Sequence, residues 1–468
     1  MINVKNYVKT LEGKPVAVFG LGASGLSCVR ALVASGASVT AWDDRAETHK
    51  AAKENGAKTQ PVTADNINSF AALVLAPGVP LHGDNPHPVA LAALSAGVEI
   101  IGDIEILHRS KQGRKTIGVT GTNGKSTTVT LIAHILKTCG VGMALGGNIG
   151  TPVLDTKKPA TGGAFVLELS SFQIDLSPTF APDIAILLNV TPDHIDRHGS
   201  VEEYAAIKER IFANPKGAAI IGVNDDPSIA IYERLKAQEG KRVIPVCVAE
   251  DCENGVYVLD GVLFDAMAGQ PQEIGSLNSI TTLQGTHNQQ NVAAAYAAAK
   301  LFDIAPQDIL EAIRTYPGLA HRQFPVRVIN GVAYINDSKA TNAEAAGKAL
   351  ACNKNIYWIL GGRPKDGGLS GLEAYTGNIK HAFLIGEAAE EFADWLEKHQ
   401  IPHHISGDLG TAVLEAHAMA QAARGQPGGG GAVLLSPAAA SYDQFRSFEH
   451  RGDAFTELVN ALDGEMAV

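Results

Sequence analysis

Thr116-Ile117-Gly118-Val119-Thr120-Gly121-Thr122-Asn123-Gly124-Lys125-Ser126-Thr127 is the stretch from which the rest of the chain is read. Thr116 to Val119 is short, apolar and partly β-branched, which predicts a buried strand. Val129 to Lys137 follows, with Leu131, Ile132, Ile135 and Leu136 on one helical face. Strand, glycine loop and helix together predict a phosphate cradle. Gly121 and Gly124 let the backbone approach an anion closely, and the N–H groups at the helix start point at it. Lys125 adds a cation for the outer phosphates, and Ser126 offers a hydroxyl to a Mg²⁺ ion. The usual loop carries a glycine five places before Gly124, where Val119 stands here. A plain turn with a surface lysine is the competing reading. Strand, glycines, lysine and hydroxyl nevertheless fall in the order a phosphate loop requires.

The 468 residues exceed what one ordinary core organises, so about two to four domains are expected. With 45% hydrophobic and 19% charged residues, the composition suits an α/β protein in water. A formal charge of -11 argues against a nucleic-acid surface. No apolar run reaches the roughly 18 residues that a membrane helix needs. Met1 to Thr10 holds two lysines and no apolar core, so no signal peptide is expected. The five cysteines (28, 139, 247, 252, 352) are scattered. Cys247 and Cys252 lack a second pair to complete a zinc site, so reduced, mostly buried thiols in a cytoplasmic protein are expected.

Pro15 to Phe19 reads as a strand, followed by Gly20-Leu21-Gly22-Ala23-Ser24-Gly25 and a helix through Val29, Leu32 and Val33. Ser38 to Trp42 reads as the next strand and ends on Asp43-Asp44-Arg45. This glycine fingerprint with an acid about 20 positions on predicts a dinucleotide, with Asp43 on a ribose hydroxyl. Any nucleotide diphosphate would suit the same helix end. Ala71 to Leu75 is another strand, and Ala76-Pro77-Gly78-Val79-Pro80 is a tight turn at a sheet's carboxyl edge. The first domain is expected to close near Leu107, with His108 to Lys115 as a polar connection.

Gly146-Gly147-Asn148-Ile149-Gly150 is a second glycine-rich turn. Ala164 to Leu169 is a strand with one acid, Glu168, which is costly to bury unless paired or metal-bound. Ile184 to Val190 reads as a buried strand running into Thr191-Pro192-Asp193-His194-Ile195-Asp196-Arg197-His198. Glu202 to Phe212 is helical and carries Lys208, read as a solvated lysine with its stem on the core. Val243 to Gly269 alternates β-like pieces with turns whose register the sequence does not place. His287-Asn288-Gln289-Gln290-Asn291 opens an alanine-rich helix, Val292 to Leu301. Tyr316-Pro317-Gly318 opens a third domain. Val326 to Ile329 and Val332 to Ile335 flank Asn330-Gly331, a two-residue hairpin signal. Asn336 to Asn342, Gly361 to Gly368 and Ser436 to Ser441 are loops at strand ends, and Gly425 to Gly431 reads as a flexible link.

Together these motifs resemble the Mur ligases of bacterial cell-wall synthesis, over essentially the full length. Gly-Thr-Asn-Gly-Lys-Ser-Thr at 121–127 is similar to their ATP loop, a variant that accommodates Val119. Leu-Asn-Val-Thr-Pro-Asp-His-Ile-Asp-Arg-His at 188–198, Tyr-Ala-Ala-Ile-Lys at 204–208 and His-Asn-Gln-Gln-Asn at 287–291 are similar to their central-domain motifs. Within the family, Gly20 to Gly25 with Ala76-Pro77-Gly78, Asn336 to Asn342, and Leu435-Ser436-Pro437-Ala438 to Phe448 resemble the members that add D-glutamate. The Asp-Asn-Pro-Arg motif of the diaminopimelate- or lysine-adding members is absent.

The resemblance implies three α/β domains. They are a Rossmann-like N-terminal domain (1–107), a P-loop-type ATP-binding central domain with a mostly parallel sheet (108–316) and a Rossmann-like C-terminal domain (317–468). It implies a monomeric cytoplasmic ligase that joins D-glutamate to UDP-N-acetylmuramoyl-L-alanine using ATP and Mg²⁺, with no nucleic-acid partner and no membrane insertion. Gly121, Thr122, Asn123, Gly124, Lys125, Ser126 and Thr127 would hold the ATP phosphates, with Asn288, Asn291, Arg322 and Asp337 on the nucleotide. Ser126, Glu168, His194 and a carbamylated Lys208 would hold metal, and Lys125, Glu168, His194 and Lys208 would carry catalysis. Ser24, Asp43, Arg45, Gly78 and Asn148 would bind the UDP-sugar. Lys339, Thr341, Lys365, Ser441 and Phe448 would line the amino-acid end. Asp44 stands where some relatives carry a small hydroxyl residue.

Overall fold

Val16–Phe19, Ala72–Leu75, Ile184–Leu187 and Ala432–Leu435 are buried at every position. That is the burial of parallel strands covered by helices on both faces. The structure, a computed structural model, describes residues 1–83, 85–365, 367–425 and 430–463. Among them the strands form three sheets, which with their helices make three α/β domains. By internal contact the chain divides into two units, residues 1–278 with 286–316, and residues 279–285 with 317 onward.

The first unit holds two sheets. In the five-stranded one, Lys58–Thr59, Val39–Trp42, Val16–Phe19, Ala72–Leu75 and Glu99–Ile101 lie side by side, all parallel. Strand order reverses at Val16–Phe19, which creates a crevice at its carboxyl end. The helix Ala23–Ala34 starts there. A Cβ on Gly25 would fall 1.8 Å from the Gly20 carbonyl oxygen, so the turn closes only with glycine.

In the nine-stranded sheet, Lys115–Thr120 sits between Ile184–Leu187 and Ala164–Glu168. Met143–Gly147 lies outside Ala164–Glu168, while Ala218–Gly222, Val243–Val248 and Val256–Leu259 extend the other side, all parallel. Val262–Asp265 and Gln272–Ser276 complete it by antiparallel pairing. One buried apolar cluster runs through both sheets, from Ile2, Val16 and Leu32 to Leu154, Phe165 and Leu187. The Ile2 N–H donates to the Leu154 carbonyl at 2.7 Å, and Arg30 pairs with Asp155.

The second unit is built on a six-stranded sheet, ordered Phe324–Ile329, Val332–Asn336, Ala432–Leu435, Ile356–Gly361, Ile379–Ile385 and His403–Gly407. The pairing is parallel except for the first hairpin, where Ile329 faces Val332 across Asn330-Gly331. Both turn residues have positive φ, 51° and 84°, as a type I′ turn demands.

The structure moves several expected boundaries. The phosphate-loop helix begins at Lys125 rather than Val129, because its first turn is polar and anchored by the loop instead of the core. The alanine-rich helix likewise begins at Thr286, and its asparagines are buried. His108 and Arg109 belong to the helix Asp103–Arg109, where Arg109 bonds Glu105 one turn back at 2.7 Å and pairs with Glu99. Leu107 therefore lies inside a helix. The strand from Ile184 stops at Leu187, since Leu188 and Asn189 turn to bond the phosphate loop at Thr120 and Thr122. All five cysteines are free thiols, but only Cys28 and Cys247 are buried, while Cys139, Cys252 and Cys352 sit at element ends or in loops and are partly exposed. Residues 426–429 of the expected glycine link lie outside the described residues.

Candidate active site

Lys115–Thr120 delivers the chain into the loop, and the helix Lys125–Thr138 leaves it. Gly124 takes φ 85°, and a Cβ there would come 2.3 Å from Asn291 Oδ1. Both conformation and space thus require glycine. Fourteen residues of helix aim a positive dipole end at the loop. The Lys125 ammonium curls over the loop and donates to the Gly121 and Thr122 carbonyls at 2.8 and 2.7 Å. Asn189 Oδ1 accepts from the Asn123 N–H at 2.9 Å. Asn291 Oδ1 accepts from Thr128 at 3.2 Å, and Asn291 Nδ2 donates to Asn288 at 3.1 Å. The loop 121–127, Asn288 and Asn291 are thereby brought together.

Lys208 is not a solvated lysine: it is 1% exposed. Its ammonium donates to the Gly121 carbonyl at 3.0 Å and to Thr120 Oγ1 at 3.3 Å, and lies 4.4 Å from the Tyr204 ring centroid. Burial, then the charge of Lys125, hold its pKa well below the usual lysine value. Glu168 is 3% exposed, and its strand pairs directly with the phosphate-loop strand, Val119 opposite Glu168. One carboxylate oxygen accepts from Asn148 Nδ2 at 3.0 Å, while Oε2 is buried without a hydrogen-bond partner. Ser126 is buried as well. His194 stands apart from this buried set. Its side chain is half-exposed, its backbone is left-handed (φ 53°), and its ring rests 5.0 Å from Phe172. Among the described residues, no three His, Cys, Asp or Glu side chains are gathered as a metal cage.

Ser24, Asp43, Arg45, Gly78 and Asn148 all line one cavity of roughly 630 Å³, at the carboxyl edge of the first sheet. Both Asp43 oxygens are occupied: Oδ2 accepts from the Leu21 N–H at 2.6 Å, and Oδ1 from the Arg45 N–H at 2.9 Å and Nε at 3.2 Å. Burial pushes the Asp43 pKa up, but the bonds from Arg45 and Leu21 outweigh it and leave it lowered.

Sequence reasoning missed His87, which lines the same cavity. Its Nδ1 accepts from the Val89 N–H at 3.2 Å and caps the helix Pro88–Ala96. The ring proton therefore sits on Nε2, which donates to Asp44 at 3.0 Å. Histidine before proline at the start of an apolar helical run was the available signal. Arg197 was missed too. It stacks 4.5 Å over Phe172 and donates to the Val79 carbonyl at 2.8 Å, tying the His194 loop to the turn that walls the cavity.

In the second unit, the Lys339 ammonium lies 3.9 Å from the Phe448 ring centroid, and Ser441 is 2% exposed. Thr341 follows Lys339 in the same loop, and Lys365 stands in the loop beyond Gly361. Asp337 is buried and accepts from Ser436 Oγ at 2.7 Å and from the Gln323 N–H at 3.0 Å. Burial drives its pKa up to about 7, against the pull of those bonds and of the Arg322 charge.

Residues 14–102 match the family described as Mur ligase MurD-like, N-terminal domain, and residues 119–299 match the Mur ligase middle domain. A UDP-N-acetylmuramoylalanine–D-glutamate ligase of Rhizobium meliloti (strain 1021) is 47% identical over 461 residues, 98% of each chain. The chain belongs to the Mur ligase family. A second relative of the same name, from Paramagnetospirillum magneticum, is 46% identical over 97% of this chain and 98% of its own. More distant Mur ligases share the fold. The UDP-N-acetylmuramoylalanyl-D-glutamyl-2,6-diaminopimelate–D-alanyl-D-alanyl ligase of Acinetobacter baumannii superposes with a TM-score of 0.59 at 15% identity, covering 98% of both chains. The UDP-N-acetylmuramate–alanine ligase of Thermotoga maritima gives 0.57 at 16%, covering 96% and 99%.

Proposed function

We propose that this Mur ligase forms the amide bond between the L-alanyl carboxylate of UDP-N-acetylmuramoyl-L-alanine and the amine of D-glutamate, with ATP as the energy source. One observation carries the reading from the geometry. Asn148 lines the first-sheet cavity and donates to Glu168, whose strand is the direct neighbour of the phosphate-loop strand. A sugar nucleotide in that cavity would thus be linked by one side chain to the place where phosphate is held.

The chemistry follows from the groups present. A carboxylate is a poor acyl donor. A carboxylate oxygen attacks the ATP γ-phosphorus, the bond to the β-phosphate breaks, and ADP leaves an acyl phosphate; the amine then attacks the carbonyl carbon, the C–O bond to phosphate breaks, phosphate leaves and the new amide nitrogen gives up its proton. Such transfer asks for in-line placement and neutralised oxygens more than for strong acids or bases. The helix Lys125–Thr138 and the Lys125 ammonium supply fixed positive charge for that purpose. The orphaned Glu168 Oε2 is an acceptor that a hard cation would satisfy. Ser126, Glu168, His194 and a carbamate on Lys208 would hold Mg²⁺, which when bound adds charge stabilisation at the phosphoryl oxygens. The depressed Lys208 pKa favours the neutral amine that reacts with CO₂.

Asn288, Asn291, Arg322 and Asp337 are assigned to the nucleotide, and Ser24, Asp43, Arg45 and Gly78 to the UDP-sugar. Lys365, with Lys339, Thr341, Ser441 and Phe448, is assigned to D-glutamate, whose two carboxylates need a cation and hydroxyl donors. We place the functional divisions at 1–107, 108–316 and 317–468, and the reaction in the cytoplasm. Phosphate release with UDP-N-acetylmuramoyl-L-alanine, ATP and each of D-glutamate, L-glutamate and L-lysine tests the reading. D-Glutamate alone should support turnover; equal or better turnover with L-lysine would overturn it.

A further inference from the structure

Arg451 lies on the helix Phe448–Asn460 of the second unit and is 0% exposed. Its guanidinium reaches the loops beyond three adjacent strands. Nε donates to Ser338 Oγ at 3.0 Å, and Nη2 donates to the Ser338 carbonyl at 2.9 Å, past the strand Val332–Asn336. Nη1 and Nη2 each donate to the Ala439 carbonyl at 3.2 Å, past Ala432–Leu435, and Nη1 donates to the Gly361 carbonyl at 3.4 Å, at the end of Ile356–Gly361. Ser338 Oγ also donates to the Phe448 carbonyl at 2.8 Å, closing the network onto the arginine's own helix. Each of these segments adjoins a residue assigned above to the amino acid: Lys339 and Thr341, Ser441, Lys365, and Phe448.

Every acceptor in this network is a carbonyl or a hydroxyl. Burying a guanidinium against such partners is expensive, and a purely structural tie between loops needs no charge. The planar fork is what this place uses, because one group satisfies three loop ends at fixed angles. We propose that Arg451 is a positioning residue for the amino-acid substrate: it fixes the spacing of the loops that carry Lys339, Lys365 and Ser441, and so sets affinity and handedness for a dicarboxylic amino acid. This rests on the assignment of those residues to D-glutamate.

Arg451→Lys keeps the charge but replaces a rigid five-donor fork with three donors on a flexible stem. The full-length variant should raise KM for D-glutamate by about tenfold or more, since small misplacements at a reacting centre are costly. KM for ATP and for the UDP-sugar should stay within about twofold, and the D-over-L preference should shrink. Mere destabilisation would lower the active fraction, hence kcat, and leave KM and the enantiomer ratio unmoved. Lys365→Ala serves as the control. A raised D-glutamate KM in Lys365→Ala with wild-type KM and enantiomer ratio in Arg451→Lys overturns the role of Arg451 alone. Unchanged D-glutamate dependence in both variants overturns the amino-acid assignment, and this inference with it. If Arg451→Lys does not fold, Ser338→Ala decides. It removes only the hydroxyl shared by Arg451 and Phe448: a raised D-glutamate KM supports the proposal, an unchanged one overturns it.

Discussion

Lys208 shows how far a single side chain can depart from its ordinary behaviour. As an exposed helix lysine it would tolerate exchange; buried against Thr120 and Gly121 it does not. Lys208→Ala should lose activity by on the order of a hundredfold or more, the scale of removing charge stabilisation at a transferring group. Lys208→Arg should be equally poor, because arginine keeps the cation and cannot become a carbamate. Added acetate should partly restore the alanine variant, and steady-state rates with and without it check this. Full activity in Lys208→Arg would remove the carbamate from the scheme. Asp337 makes a second prediction at this scale. Its pKa is raised to about 7 in the folded protein, against roughly 3.9 in an unfolded chain. Its stabilising share is therefore fully present below pH 4 and is lost as pH rises through 7. Denaturant unfolding of the substrate-free protein should show Asp337→Asn gaining on wild type between pH 4 and 7. The sequence named both residues and could not give either environment, because burial of Lys208 depends on strands some 90 positions upstream.

At the scale of elements, the glycine turns were the most legible part of the chain. Strand, glycine and helix recur in a fixed order, and Asn330-Gly331 names its own turn type. Less legible were helix starts made of polar residues. Lys125 to Thr128 and Thr286 to Asn291 show no apolar stripe, since they bond one another and the phosphate loop rather than the core. The ends of strands were blurred for a similar reason at Leu188 and Asn189. Gly25→Ala tests the first turn. With a Cβ placed 1.8 Å from the Gly20 oxygen, the helix start must shift, and the UDP-sugar KM should rise by about tenfold or more. The ATP KM should hold, because the phosphate loop belongs to another sheet; initial-rate kinetics in both substrates would show the split.

On the scale of the whole molecule, two contact units imply two cooperative blocks of unfolding. A ligand stabilises only the block that binds it, by about 2.7 kcal/mol at a hundredfold excess over Kd. UDP-N-acetylmuramoyl-L-alanine alone should move the calorimetric transition of the first unit and leave the second in place. Arg45→Ala should weaken that shift, and Lys125→Ala should preserve it while abolishing turnover. A shift of both transitions in wild type would place the sugar-nucleotide site elsewhere. The division itself was hard to read from sequence. The helix Asp103–Arg109 and the cluster from Ile2 to Leu187 fuse the first two sheets into one body, and such fusion is written in long-range contacts.

The helix Thr286–Lys300 backs the phosphate loop with six alanines among its fifteen residues, and all six, with Tyr296 among them, are 0–1% exposed. At those alanine positions a larger side chain overpacks the wall and strains the helix that carries Asn288 and Asn291. For an antibacterial compound gripping those two asparagines, this wall offers few routes to resistance, since a mutation that evicts the compound by moving the helix also disturbs the loop 121–127 that the asparagines hold.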